Sequence, residues 1–201
     1  MRWTTRESTF KSALLAQADI RPHNKILDLG CGTATLTIAI KVACRDADVV
    51  GLDGDSRILE IARRKATDAG VKISLDRGYS YALPYGDRSF DKVVSSLFFH
   101  HLTTEDKRRA LMEIDRVLKQ GGELHIADWG KAQNIVMRSL FYIVQLLDGF
   151  ETTADNVRGR LPTLIKETGF QGMRKTADFA TPLGTISLLS AEKRLSGDLR
   201  D

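Results

Sequence analysis

Apolar and polar positions follow two alternating periods along the chain, one typical of strands and the other of helices. Short apolar runs predict five strands, at 25–29, 49–52, 71–75, 90–97 and 123–127. Apolar residues at helical spacing predict helices at 8–19, 33–44, 55–69, from Thr103 or Thr104 to Gly121-Gly122, at 134–147 and at 153–168. Two more extended runs, 171–179 and 185–190, end the pattern.

This order of elements predicts an α/β fold. Parallel neighbouring strands need a crossover connection, and a predicted helix lies between successive members of the first five strands, except between the third and the fourth. Only a few residues separate the last two runs, which is too few for a crossover, so an antiparallel strand is expected at the C-terminal end. We therefore expect a mostly parallel, seven-stranded sheet between two helical layers, with residues 1–201 forming a single domain.

Composition narrows the class of protein. The chain has 201 residues, 42% of them hydrophobic, and this excludes a disordered or fibrous chain. The net charge of +4 permits an anionic partner without requiring one. Basic residues cluster at 63–65 and 107–109, both within predicted helices, so solvated helix faces are favoured over a nucleic-acid surface.

The two cysteines, Cys31 and Cys44, are expected to be free thiols in a reducing cytoplasm. No apolar run is long enough to span a bilayer, since the best candidate, 135–147, is interrupted by Arg138 and Gln145. Four histidines without a Cys/His cluster predict no metal site.

The first strand ends in a glycine turn that is typical of ligand-binding α/β proteins. Gly30 and Gly32 permit a sharp turn before a helix, and Asp53 ends the next strand, where a carboxylate can accept hydrogen bonds from both hydroxyls of a ribose. The alternative role of Asp53, capping the next helix, is already available to Asp55 or Ser56. Because position 35 is Thr35, the glycine pattern of dinucleotide binding is incomplete, which disfavours nicotinamide and flavin cofactors.

Several motifs together resemble the class I S-adenosylmethionine-dependent methyltransferases, and most closely the compact group that includes the ubiquinone/menaquinone-biosynthesis methyltransferases. These motifs are Asp28-Leu29-Gly30-Cys31-Gly32-Thr33, Asp53, Leu83-Pro84 with 89–94, and 116–122. The resemblance covers about 25–128 and extends to the Gly169-Phe170 ending. It implies a Rossmann-like three-layer sandwich, S-adenosyl-L-methionine as cofactor, and methyl transfer to a small-molecule acceptor by in-line displacement.

The resemblance also implies roles for individual residues. Asp28 would hold the cofactor's amino group, and Gly30, Cys31 and Gly32 would pack against its methionine part, with Ser95 beneath. Asp53 would hold the ribose. The residues implied to meet the adenine are Gly78, Tyr79 and Ser80. The chain departs from the family pattern at Ala34, at Gly54, where a larger residue often packs on the adenine, and at Tyr79, where an aspartate is common.

Candidates for a general base follow the fourth and fifth strands. His100 and His101 are candidates because histidine is the side chain best suited to general-base work near neutral pH, and Asp128 is a further candidate; the alternatives are helix capping or simple solvation. Apolar acceptor walls are expected from Phe99, Trp129 and Phe150. Residues 1–24 are expected to form a helical lid, and 131–168 a helical insert over the acceptor side.

Three other functions compete with small-molecule methylation. An RNA methyltransferase would use the same cofactor, but no Asn-Pro-Pro-Tyr or Pro-Cys motif is present and no RNA-binding module is appended. A non-catalytic cofactor-binding module of the same fold is allowed by Gly54 and Tyr79. A nucleotide-dependent oxidoreductase ranks last. An oligomer is possible.

Overall fold

The computed structural model describes residues 4–130, 159–181 and 184–195. Within them lie five α-helices and seven strands. The helices are α1 (Thr4–Ala18), α2 (Thr35–Ala43), α3 (Ser56–Asp68), α4 (Thr104–Val117) and α5 (Leu161–Glu167). The strands are β1 (Lys25–Leu29), β2 (Asp48–Asp53), β3 (Ser74–Arg77), β4 (Phe90–Ser96), β5 (Leu118–Trp129), β6 (Gln171–Thr181) and β7 (Gly184–Glu192). Within the described part of the chain, no helix is long and apolar enough to cross a bilayer.

The seven strands form one sheet in the order β3-β2-β1-β4-β5-β7-β6. The strands from β3 to β5 pair in parallel, whereas β7 pairs antiparallel with both β5 and β6. The predicted mostly parallel sheet with an antiparallel C-terminal strand is therefore confirmed. The sheet order reverses direction at β1 and β4, and ligands of open α/β sheets bind beside the carboxyl ends of such strands.

The two faces of the sheet carry separate hydrophobic cores. Ile26 and Val94 face α1 and α2, where Leu14 and Ile40 are completely buried. Their chain neighbours point to the other face, which packs against α4 and α5. Helical layers on both faces give the three-layer sandwich that the sequence predicts.

The boundaries of β3, α4 and β5 differ from the sequence prediction. β3 begins at Ser74 rather than at residue 71, because Gly70 adopts a positive φ of 63° and the next residues complete the end of α3. α4 ends at Val117 rather than at Gly121-Gly122. Leu118 is extended and pairs with Phe90, so β5 starts before the glycines.

The structure describes only part of the predicted lid, 1–24, and of the predicted insert, 131–168. In α1, Phe10, Leu14 and Ala18 are buried against the sheet, so this portion of the predicted lid is a packed helix. α5 lies within the predicted helix 153–168. The predicted helix at 134–147 and most of the insert lie outside the described residues. The lid and insert roles stay predictions.

Candidate active site

The glycine turn after β1 is fixed to the end of β2 by its own backbone. The N–H groups of Gly30 and Cys31 both donate to the carbonyl oxygen of Leu52, at 2.9 and 3.0 Å. Gly30 has a φ of +69°, and a Cβ at this position would lie 2.2 Å from the Phe98 ring. Only glycine therefore fits, for conformational and steric reasons together. The turn brings the ends of β1, β2 and β4 to one edge of the sheet.

Asp53 joins this turn to the beginning of α3. Its Oδ2 accepts from the N–H of Gly32 at 2.9 Å, and its Oδ1 accepts from the N–H of Asp55 at 3.0 Å. The helix cap is Asp55, whose side chain accepts from the N–H of Arg57. Because each carboxylate oxygen can accept about two hydrogen bonds, the orientation of Asp53 leaves acceptor capacity for a bound diol.

A cleft of about 140 Å³ opens beside Asp53. It is lined by residues from the ends of four strands, β1 to β4, and the loops after them: Gly30, Leu52, Asp53, Gly54, Gly78, Tyr79, Ser80, Tyr81, Phe98 and Leu102. The cleft thus brings together most of the residues that are predicted to contact the ribose and the adenine. Pockets that enclose whole small molecules are usually about 300–1,000 Å³, so this cleft matches part of a nucleoside rather than an entire cofactor.

An aromatic pair forms one wall of the cleft. The rings of Tyr79 and Tyr81 stack with centroids 5.4 Å apart and planes 8° from parallel. A Cβ on Gly54 would lie 3.5 Å from Tyr79, so glycine leaves an open space facing the Tyr79 ring. Arg109 lies over the opposite ring, 4.9 Å from the centroid of Tyr81. Tyr79 itself is 52% exposed and can offer a flat face to a ligand.

Asp28 is buried on the α2 side of the sheet. It is 1% exposed, and its Oδ2 accepts from the Thr37 hydroxyl at 2.6 Å. Burial raises the pKa of Asp28 to about 6, although the hydrogen bond from Thr37 and the nearby charge of Lys11 oppose that shift. A carboxylate that is costly to ionise in the free protein is a good receptor for a cationic ligand.

Cys31 and Ser95 point away from the cleft. The Sγ of Cys31 lies against Gly51, 3.0 Å from where a Cβ on that glycine would be, and burial raises the pKa of its thiol. Ser95 is completely buried and donates to the carbonyl oxygen of Leu29 at 2.9 Å. Cys31 can thus offer its backbone to a ligand, whereas the Ser95 hydroxyl is already used within the sheet. Both cysteines are free thiols.

The neighbour of Ser95 is a polar residue that sequence reasoning missed. The Oγ of Ser96 is buried, and no hydrogen-bond partner for it is found in the structure. Strand alternation puts Ser95 and Ser96 on opposite faces, and the observed register settles which face is which: Asp28 pairs with Val94, so Ser96, two residues further along β4, is on the same face as Asp28.

His100 and Asp128 form a buried pair behind the cleft. The Nδ1 of His100 lies 2.8 Å from Oδ1 of Asp128, and the two residues are 4% and 2% exposed. Asp128 also accepts from the backbone N–H groups of Phe98, His100 and Trp129. It therefore holds the turn after β4 in place. His101 is exposed, and its ring centroid lies 3.9 Å from that of His100.

The three predicted acceptor-wall residues are not brought together within the described structure. Phe99 is completely buried in the core that faces α4, so its side chain does not reach the cleft. Trp129 is partly buried, with its ring centroid 6.4 Å from that of His100. Phe150 lies outside the described residues. Among those that are described, no group of three or more metal-ligating side chains occurs.

Comparison with known proteins identifies the family. Residues 26–122 match the model of a methyltransferase domain. A ubiquinone/menaquinone biosynthesis C-methyltransferase from Shewanella oneidensis is 30% identical in an alignment of 172 residues that covers 75% of this chain and 68% of that protein. The chain belongs to the class I S-adenosylmethionine-dependent methyltransferases. The recognition made from the motifs is thereby confirmed, and so is the cofactor.

Solved structures show the same methyltransferase fold. A putative methyltransferase from Bacillus halodurans aligns with a TM-score of 0.74 at 18% identity, over 92% of this chain and 99% of that one. An S-adenosylmethionine-dependent methyltransferase from Methanosarcina mazei aligns with a TM-score of 0.70 at 21% identity, over 90% and 97%. These alignments cover more of the chain than the segment that the domain model matches.

The residues present fit S-adenosylmethionine. The ligand carries an ammonium group and a ribose diol, and the methyltransferase offers one buried carboxylate and one partly exposed carboxylate at the same sheet edge. A Cβ on Gly32 would meet nothing within 4 Å, so the turn has open space above it. The buried hydroxyl of Ser96, for which the structure shows no hydrogen-bond partner, adds a polar group that a ligand could satisfy.

Proposed function

We propose that this methyltransferase transfers a methyl group to a small, apolar or aromatic acceptor. The observation that carries the proposal is the cleft in which Gly30, Asp53 and Tyr79 meet beside the glycine turn. The Shewanella oneidensis relative is named for methylation of carbon in ubiquinone/menaquinone biosynthesis, which supports an acceptor of the quinone-precursor type. The atom that is methylated is left open.

In this proposal, the two ends of the cofactor are bound by different parts of the sheet edge. Asp53 accepts hydrogen bonds from the ribose hydroxyls while it keeps its bond to the N–H of Gly32. Gly54, Gly78, Tyr79 and Ser80 surround the adenine. Asp28 and the backbone of the glycine turn receive the methionine part. When bound, S-adenosylmethionine supplies an electrophilic methyl group on a sulfonium that departs with the bonding electron pair.

The protein's main contribution to rate is then alignment of the acceptor. Correct placement of two reactants can supply about 7–11 kcal/mol of the barrier reduction, so a metal or nucleophilic side chain is not needed. His101 is the stronger candidate for taking a proton from the acceptor, because it is exposed while His100 is buried and held by Asp128. We assign His100 and Asp128 to positioning the turn that bears Phe98 and His101.

A transfer assay with labelled cofactor tests this function. The purified protein is incubated with methyl-labelled S-adenosylmethionine and a panel of quinone precursors, phenols and a structured RNA. We expect label in at least one small aromatic acceptor and none in RNA. Label in RNA would overturn the acceptor class, and cofactor binding without transfer to any acceptor, including those in a cell extract, would favour a non-catalytic binding module.

A further inference from the structure

We propose that a second cavity, on the α1 side of the sheet, binds a small zwitterion that carries one ammonium group and one carboxylate group. The cavity has a volume of about 190 Å³, and its lining includes six polar side chains: Gln17, Glu123, His125, Arg174, Ser190 and Glu192. None of these residues lines the cleft beside Asp53. The methyl transfer proposed above does not use them, so occupation of this cavity is separate from the choice of acceptor.

A chain of hydrogen bonds fixes the inner wall of the cavity. The amide nitrogen of Gln17, on α1, donates to the carbonyl oxygen of Leu189 at 2.9 Å and lies 3.1 Å from Nδ1 of His125. The Thr176 hydroxyl donates to the amide oxygen of Gln17, which sets the orientation of this amide. Because the amide nitrogen can only donate, Nδ1 of His125 accepts, and Nε2 donates to Oε2 of Glu123 at 2.8 Å. The carboxylate of Glu123 is therefore held in place, as a binding site requires.

Glu123 keeps acceptor capacity next to a second acid. Its Oε2 lies 2.8 Å from the ammonium of Lys92, while Oε1 has no hydrogen-bond donor within the described residues. The hydrogen bond from His125 and the nearby Lys92 lower the pKa of Glu123 to about 2, against the effect of burial, so this carboxylate is ionised at neutral pH. Glu192 lies directly opposite Glu123 in the β5–β7 register. Like charges in that arrangement are destabilising, and a bound cation would relieve their repulsion.

The other side of the cavity carries a cation. Arg174 lies directly opposite Ser190 in the β6–β7 register, so both side chains are on the face that lines the cavity. Arg174 and Glu192 are exposed, yet they form no ion pair with each other or with any other residue in the described part of the chain. The neighbouring Lys175, by contrast, pairs with Asp178 at 2.6 Å. A ligand can therefore reach an acid and a base that no protein group neutralises.

The chemistry of these groups favours a ligand without net charge. The two carboxylates, of Glu123 and Glu192, are balanced by two cations, Lys92 and Arg174. An ammonium group has three donors and fits between the two carboxylates, whereas the planar guanidinium of Arg174 matches a carboxylate with two parallel hydrogen bonds. A simple cation or a simple anion would satisfy only one side. Pockets for larger ligands are usually about 300–1,000 Å³, so this volume suits a free amino acid rather than a nucleotide.

Titration with amino acids tests the proposal. The intact protein is first saturated with S-adenosylhomocysteine, so that an added amino acid cannot enter the cofactor cleft. The α-amino acids and 4-aminobutanoate are then added at millimolar concentrations, with acetate and methylammonium as probes that carry only one of the two charges. We expect at least one zwitterion to raise the melting temperature, because a ligand that binds only the folded state stabilises it. In calorimetry it is expected to bind at least about tenfold more tightly than either single-charge probe.

Three variants locate the binding. Arg174→Gln and Glu192→Gln are each expected to weaken binding of that zwitterion by about 10- to 150-fold, since each removes a charged hydrogen-bond partner. Lys175→Gln makes the same change of charge at the next position, which pairs with Leu189 and faces the other side of the sheet, so wild-type affinity is expected.

Three results would overturn the proposal. The first is an absence of binding by every zwitterion in the panel. The second is equally tight binding of acetate or methylammonium. The third is unchanged affinity in both Arg174→Gln and Glu192→Gln, which would place the ligand elsewhere on the protein.

Discussion

Asp28 is expected to destabilise the protein at neutral pH while it serves the cofactor. The pKa of this buried carboxyl is about 6 in the folded state, against an ordinary value of 3.8. A difference of one pKa unit corresponds to about 1.4 kcal/mol, so ionising Asp28 costs the folded state on the order of 3 kcal/mol above pH 6. Replacing it by asparagine removes the charge and keeps a group that can hydrogen-bond to Thr37.

The direction in which stability changes with pH follows from proton binding. Because the pKa of Asp28 is higher in the folded state, that state holds more protons between pH 4 and 6, and its stability falls as the pH rises through this window. The stability contributed by protonated Asp28 is fully present below pH 4 and lost above pH 6. Asp28→Asn does not titrate, so its advantage over wild type should grow by about 2.5 kcal/mol between pH 4 and pH 8.

Urea denaturation of both proteins at pH 4, 6 and 8 measures this difference. Any pH-independent effect of the amide cancels when the differences at two pH values are compared. Calorimetry on the same variant should show weaker binding of S-adenosylhomocysteine, because the partner of the ammonium has lost its charge. A stability difference that stays constant from pH 4 to pH 8 would refute the assignment of a raised pKa to buried Asp28.

Three further variants test separate parts of the site. Gly30→Ala is expected to destabilise the protein by at least about 1–2 kcal/mol from the positive φ alone, and the clash with the Phe98 ring adds a further cost. Urea denaturation measures this loss, and wild-type stability would contradict the close approach of Phe98. Tyr79→Ala is expected to weaken S-adenosylhomocysteine binding by about 1–3 kcal/mol if its exposed ring stacks on the adenine, and equal affinities in calorimetry would remove that role. His101→Ala is expected to lower turnover more than cofactor affinity, and wild-type turnover on the true acceptor would remove it as a base.

The architecture could be predicted from the sequence because it depends on local patterns. The buried run from Lys25 to Leu29, the cap at Asp55 and the short connection before β7 each determine their element without distant partners. The end of α4 could not be placed, because strand pairing decides it. Leu118 is extended because it pairs with Phe90, a contact that helical spacing cannot indicate.

The candidate site divides in the same way. Residues in glycine turns and at strand ends, such as Gly30 and Asp53, could be located from spacing alone. The face to which a strand side chain points could not be predicted, because a shift of one residue in strand register would put Ser95 where Ser96 lies. The direction of the Phe99 side chain could not be predicted either. Its neighbour Phe98 lines the cleft, whereas Phe99 is buried in the core.

The central claim is that Asp53 binds the ribose of the cofactor, and calorimetric titration of S-adenosylhomocysteine into Asp53→Ala tests it most directly. Asp48→Ala is the matched control, since Asp48 is exposed at the opposite end of the same strand. The account predicts a loss of about 1.5–3 kcal/mol, or roughly 10- to 150-fold, in Asp53→Ala and wild-type affinity in Asp48→Ala. Equal affinity in the two variants would contradict it.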